Sequence, residues 1–481
     1  MNPLRTSIRN GSGMGCLFVF VCGVISALIW WGEQPSTLAT LACALCVCGI
    51  AVWVVRFAKK HNACADSNLW LRLIGIRLLL ATILIGFFWY EPDLSHRTSS
   101  MQSDGLGFDP VRWDEMGEQL AIDGILGSSQ TIYRYGKEGL IYYIASIYSI
   151  FGVGCVYVAW FNALIAVATL LLLTYWLREH FGSQRRWDLM AYGLFIPESL
   201  WYGSLALKEV HNGFLFVLFM VSYDRLFSNA STKTAKQQWL IFMCLAVVGI
   251  FIFQRIHFVT MGGFALLACC LHFRSKRSLS PILVIGLIFD CVLVFERFVS
   301  SDVELILREN EQVGSAVLRG SDMFATEDSI NTMLIGNTIM QKALFCIPRT
   351  VMFAVTPFPR LEIWSYWGIK ENDWQSLGST ATRISIILLL WLSPALVATS
   401  VKSFTNTVVS VARIPLAMYV ACLFAMANGV MMFQERWRSS VWPIWLALIL
   451  LGWPYRKEYY WIVPVAVTAG AVLFMLLKMG F

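Results

Sequence analysis

The chain has 481 residues, of which 57% are hydrophobic, 14% aromatic and only 14% charged, with a formal net charge of +7 at neutral pH. A mean hydropathy of +0.63 excludes an ordinary soluble domain, whose charged share is higher and whose apolar share is lower. The basic excess does not point to nucleic acid, because the Lys and Arg residues fall in short loops between apolar windows.

A hydrocarbon core about 30 Å thick requires roughly 20 apolar residues per helical span. Windows that meet this condition run over 15–33, 36–57, 71–90, 156–176, 187–203, 210–228, 238–254, 258–273, 280–298, 382–400, 412–433, 439–453 and 459–477. Two further windows, 138–153 and 339–357, are shorter or interrupted and suit either a span or an interfacial helix; Lys342, Pro348 and Arg349 favour the interfacial reading of the second. Exposed strands or loops would strand backbone polar groups in lipid, and the alternation of an outer-membrane barrel is absent. The expected fold class is therefore an all-α polytopic integral membrane protein of about 13 transmembrane helices.

The first window is preceded only by Arg5 and Arg9, lacks a small-residue cleavage site and is followed at once by a second, so it reads as a retained helix. The chain then divides into an N-terminal helix pair (1–70), a helical core (71–298) with an acidic first loop at 91–137, a large polar loop with an interfacial helix (299–381), and C-terminal helices (382–481). With the N-terminus cytoplasmic, inward loops carry Arg56, Lys59 and Lys60, then Arg178, Arg185 and Arg186, then Arg225, Lys233 and Lys236, then Arg274, Lys276 and Arg277. That is a positive-inside record for a multi-pass plasma-membrane protein, expected in a bacterial inner membrane. The thirteen cysteines are scattered, mostly within spans as Cys43, Cys46 and Cys48 are, and read as apolar filler.

The outward segments are acid-rich. GFDPVRWDEMGEQLAIDG, Gly107 to Gly124, follows the span 71–90; on a helix Asp109, Trp113 and Gly117 share one face and Asp114 and Glu118 another. Downstream come YGKEGLIYYIASIYSIFG (Tyr135 to Gly152), IPESLWYGSLALKE (Ile196 to Glu209), FQRIHF (Phe253 to Phe258), TPFPR, and ERWRSSVWPIWLALILLG. In order and in common side, these parts resemble the GT-C glycosyltransferases, including the protein mannosyltransferase-like and RgtA/B/C/D-like groups. Their first outward loop commonly reads Asp-Glu-x-x-Tyr with a catalytic Asp. Here Pro110 and Trp113 stand where Glu and Tyr are usual, the two N-terminal spans are additional, and Lys208-Glu209 is a variant.

The resemblance implies a GT-C-like bundle with extracytoplasmic loops that moves a sugar from a polyprenyl-phosphate donor to a glycan or lipid-linked acceptor. Asp109 is then the base for the acceptor hydroxyl, and Glu209 orients the acceptor or joins Asp109 in holding a divalent cation through oxygen ligands. Arg255, Arg436 and Arg438 suit the phosphate, Lys208 supplies a point charge, and Trp113 joins the substrate-binding residues. Each has a structural rival. Asp109 before Pro110 is a favoured helix start, Glu209 can pair with Lys208, and the arginines can anchor the bundle to headgroups. His211 and His257 read as structural, while Trp364, Trp367 and Trp374 could stack on a sugar face. The absence of a phosphate-binding Gly-rich loop, an HExxH pair or a nucleophile elbow argues against nucleotide-sugar donors. Two other readings stay open: a Wzy-type polysaccharide polymerase or O-antigen ligase, favoured by the large loop, and a transporter or flippase without chemistry.

Overall fold

A computed structural model describes residues 3–30, 37–89, 109–124, 138–227, 232–254, 257–272, 350, 374–406, 408–429, 435–465 and 468. All regular structure among the described residues is helical. Six of these helices are long and apolar enough to cross a membrane: Thr37–Lys60, Ser67–Gly86, Cys155–Phe181, Lys233–Phe253, Ala381–Thr405 and Ser410–Ala427. The expected window 280–298, all of 339–357 but residue 350, most of 459–477 and most of the loop 299–381 lie outside the described residues. The chain forms two compact units, Met1–Val221 with Arg360–Ser385, and Ser222–Pro359 with Ile386–Phe481.

The first unit opens with α1 (Pro3–Ile29), α2 (Thr37–Lys60) and α3 (Ser67–Trp89). The N-terminal pair packs closely here. A Cβ on Gly75 of α3 would lie 3.2 Å from both the Cys22 sulfur and the Val19 Cα of α1, and one on Gly23 would overlap the Cys48 sulfur of α2. Small residues at these crossings bring the backbones together, where dispersion rather than the hydrophobic effect holds helices in lipid. Trp30 Nε1 donates to the Thr82 carbonyl at 3.4 Å. The hydroxyls of Thr40 and of Tyr157, on α6 (Cys155–Phe181), lie 2.7 Å apart.

Between α3 and α6 lie α4 (Asp109–Asp123) and α5 (Glu138–Phe151). With 14 residues, α5 is about 21 Å long, short of the roughly 30 Å that a span requires. It ends at Gly152, whose φ of 85° suits glycine and whose N–H donates to the Tyr148 carbonyl at 2.8 Å.

The window 187–203, expected as one span, is instead broken. A 3-10 helix, Arg185–Phe195, stops at Ile196, and Pro197 starts a separate seven-residue helix, α7 (Pro197–Gly203). Proline has no N–H to continue a ladder and fits the first helical turn. Carbonyls near the break need donors inside an apolar bundle. Arg77, buried midway along α3, donates to Leu194 O and Ser199 O, both at 3.2 Å.

One end of this unit is fastened by Asp188. Its carboxylate accepts from Ala65 N and Trp70 Nε1 at 3.1 Å, Asp66 N at 3.2 Å, and Arg178 at 3.4 Å. The basic loops around 56–66 and 178–188, expected on one side of the membrane, thus share one end of the unit.

The second unit contains α9 (Lys233–Phe253), α10 (Phe258–His272), the later part of α11 (Trp374–Thr405), α12 (Arg413–Gly429) and α13 (Trp442–Gly452). Helix α10 packs on α12. The Leu390 carbonyl, orphaned because Pro394 has no N–H, accepts from Ser393 Oγ at 2.7 Å. Thr399 Oγ1 reaches Leu448 O on α13 at 2.5 Å, and Gly452 closes against the Ala395 carbonyl. The window 439–453 yields only the 11 helical residues of α13 before a 3-10 turn, Trp453–Tyr459, with Pro454 near its start. On α9 the side chains of Leu240, Ile241, Phe242, Leu245 and Val248 are exposed, an apolar exterior suited to lipid.

Candidate functional site

Asp109 is the first residue of α4 and Pro110 the second, the order favoured at a helix start; the Asp109 side chain lies outside the described residues. Helix α4 packs on α5. Trp113, Asp114, Gly117 and Leu120 are all buried, whereas Glu115, Gln119 and Ile122 are exposed. The 3.6-residue period explains this split, since positions 113, 117 and 120 fall on one stripe and 114 lies at its edge. Trp113 is thus buried at 2% exposure rather than presented to solvent. Gly117 is where the helices approach most closely, because a Cβ there would overlap the Ile144 side chain.

Asp114, which the sequence reading places on a face with Glu118, is not among its site candidates. It is only 7% exposed and accepts a hydrogen bond from the Tyr148 hydroxyl. Burial pushes its carboxyl up to about 7, and Glu118 and Glu115 add to the rise against the lowering effect of Tyr148. Its place on the buried stripe, between Trp113 and Gly117, was the available signal.

Helix α5 also reaches the head of α8 (Glu209–Phe227). The Tyr143 ring meets the His211 ring edge-on at 4.4 Å, and its hydroxyl donates to Asn162 Oδ1 at 3.1 Å. Asn162 Nδ2 in turn donates to Leu205 O at 2.9 Å. These contacts order the segment 204–208, which is buried along its whole length. Lys208 and Glu209 are 3% and 1% exposed. Close by in sequence, the Glu198 N–H donates to Ser385 Oγ at 2.9 Å, which joins α7 to the start of α11 within the same unit. The first unit thus holds the acidic helix α4 seated on α5, and the buried Lys208 and Glu209 beside His211, which α5 touches.

In the second unit, Arg438 lies in a 3-10 turn, Glu435–Ser440, and is 5% exposed. The His257 ring meets the Trp437 ring at 6.2 Å. Arg255, Trp364 and Trp367, and the side chains of Arg436 and Trp374, lie outside the described residues. Among the described residues no group of three or more His, Cys, Asp or Glu is arranged to hold a metal ion.

Compared with family models, with curated proteins and with solved structures, the chain matches none.

Proposed function

We propose that the chain is a membrane glycosyltransferase of the GT-C kind. In this reading it moves a sugar from a polyprenyl-phosphate donor to a glycan or lipid-linked acceptor at the outer face of a plasma membrane. The observation that carries the reading is the acid-rich helix α4, which follows α3 and is seated on α5, a helix too short to span that also touches the head of α8 beside Glu209.

In the proposed reaction the acceptor oxygen attacks the anomeric carbon as the bond from that carbon to the phosphate oxygen breaks. The hydroxyl proton passes to the Asp109 carboxylate, and the departing phosphate keeps the bonding electron pair. Lys208, buried at the head of α8, supplies positive charge toward the departing phosphate, and Glu209 orients the acceptor. A carboxylate at the first turn of α4 also sits well with the helix dipole, so the same position serves a stable helix and a reactive acid.

The transporter reading gains no support from Arg77, although it lies mid-span, because two of its N–H groups are taken by backbone carbonyls. The test compares surface glycans from cells carrying the wild-type chain, no chain, Asp109→Asn or Glu209→Gln, each at matched membrane abundance. Both variants should reproduce the deletion's glycan defect, with transfer reduced at least about 100-fold, the scale of a lost general base. Wild-type glycans in both variants would refute the assignment. Accumulated single repeat units would instead identify a polymerase.

A further inference from the structure

Among the described residues, the buried side chains of α4 are apolar except at one point. Trp113, Gly117 and Leu120 of α4 and Leu140, Ile141, Ile144 and Ala145 of α5 are buried. Asp114 enters this contact with the Tyr148 hydroxyl as its hydrogen-bond partner. Among the described residues the groups that face its carboxyl are that hydroxyl from α5, the Cys155 thiol at the start of α6, and Glu115 and Glu118 from its own helix. Among the described residues no Lys, Arg or His forms an ion pair with it. A buried carboxylate with only a neutral donor and two like charges near it is poorly compensated.

We propose that the contact is a pH-operated latch: α4 is held on α5 while the Asp114 carboxyl carries a proton, and the hold weakens when that carboxyl ionises. The sign follows from the shift. The docked carboxyl ionises at about 7 against 3.8 for an ordinary one. Docking is therefore strongest below pH 3.8, weakens as pH rises through the interval to about 7, and stays weak above it. Glu118 and Glu115 strengthen the effect, and Tyr148 moderates it by hydrogen-bonding the charged form. The first turn of α4, where the proposed reaction places Asp109, would then be presented according to the pH of the medium. The latch itself does not depend on that reading, because it is defined by the docking of one helix.

Hydrogen–deuterium exchange of the full-length protein in lipid nanodiscs tests it, with rates over 113–120 corrected for intrinsic pH dependence. Between pH 5.5 and pH 7.5 the protection of this segment should fall roughly twentyfold, as the two ionisation points require. Asp114→Asn, neutral throughout, should remove the dependence. Glu118→Gln should move the midpoint to lower pH and Tyr148→Phe to higher pH. Equal protection of the wild type at both pH values, or an unchanged pH dependence in Asp114→Asn, overturns the latch. If Asp114→Asn fails to fold, the other two decide: midpoints that move apart sustain the proposal, and midpoints that stay together refute it.

Discussion

Four donors converge on the Asp188 carboxylate from two separate stretches of chain: Ala65 N, Asp66 N and Trp70 Nε1 from one, and Arg178 from the other. Removing it would leave the Arg178 guanidinium, itself buried, without its counter-charge. Breaking one partner of a buried pair typically destabilises by about 3–5 kcal/mol, well above the worth of a surface pair. Asp188→Ala should therefore lower the unfolding midpoint in detergent strongly. Asp188→Asn, which keeps one acceptor oxygen, should lie between it and the wild type, and equal midpoints for all three would show that the cluster contributes nothing. By contrast Lys402–Glu458, at 3.0 Å but 25% and 58% exposed, should tolerate replacement with little change. Nothing local in the sequence marks Asp188. It follows two arginines and a tryptophan, as a solvated loop acid would, and three of its four donors lie more than a hundred residues away. Asp109 and Glu209 stand as candidates because a motif order surrounds them, whereas the partner of Asp114 became visible only once α5 supplied Tyr148.

At the scale of the helix, Gly117 sets how closely α4 can sit on α5. Alanine in place of glycine within a helix is worth about 1 kcal/mol in its favour. Here the added Cβ would overlap Ile144, whose β-branched side chain has little rotamer freedom, and overpacking of this kind costs about 1–3 kcal/mol. The overlap should win, so Gly117→Ala should loosen α4, seen as faster exchange over 113–120. Ile144→Ala in the same chain should restore part of the loss, and that coupling separates the contact from a general effect. An added Ile144→Ala that only worsens the loss would place the steric limit elsewhere. Hydropathy located most helices to within a few residues, for example α2 and α6, because a long apolar run has few alternatives in lipid. It overran at 187–203 and 439–453, where Pro197, Pro443 and Pro454 divide an apolar run into short helices and 3-10 turns. Those prolines were present in the sequence, but a sliding window averages them away.

For the molecule as a whole, the decisive question is which way the first unit faces. Asp188 joins the loop after α2 to the segment after α6, so the basic residues Arg56, Lys59, Lys60, Arg178, Arg185 and Arg186 belong to one end. From that end α3 carries the chain 23 residues, about 35 Å, which is enough to cross a bilayer before the acid-rich segment begins. The concentration of positive charge predicts that the fastened end is cytoplasmic and that α4 follows an outward crossing. Reporter domains inserted into the full chain after Asn62 and after Ser183 should behave as cytoplasmic, with green fluorescence retained and alkaline phosphatase inactive. The same phosphatase inserted after Leu126 should be active. The reverse result would put the acidic helix in the cytoplasm, where donors with an outward-facing sugar are out of reach, and the proposed transfer from a polyprenyl phosphate would fail on topology alone. Agreement at Asn62 with disagreement at Leu126 would mean that α3 does not deliver the chain across, and the acid segment would then belong to the same side as the Asp188 cluster. Only the expected pattern leaves Asp109 and Glu209 on the face where such a reaction takes place, which is why orientation should be measured before any variant is assayed.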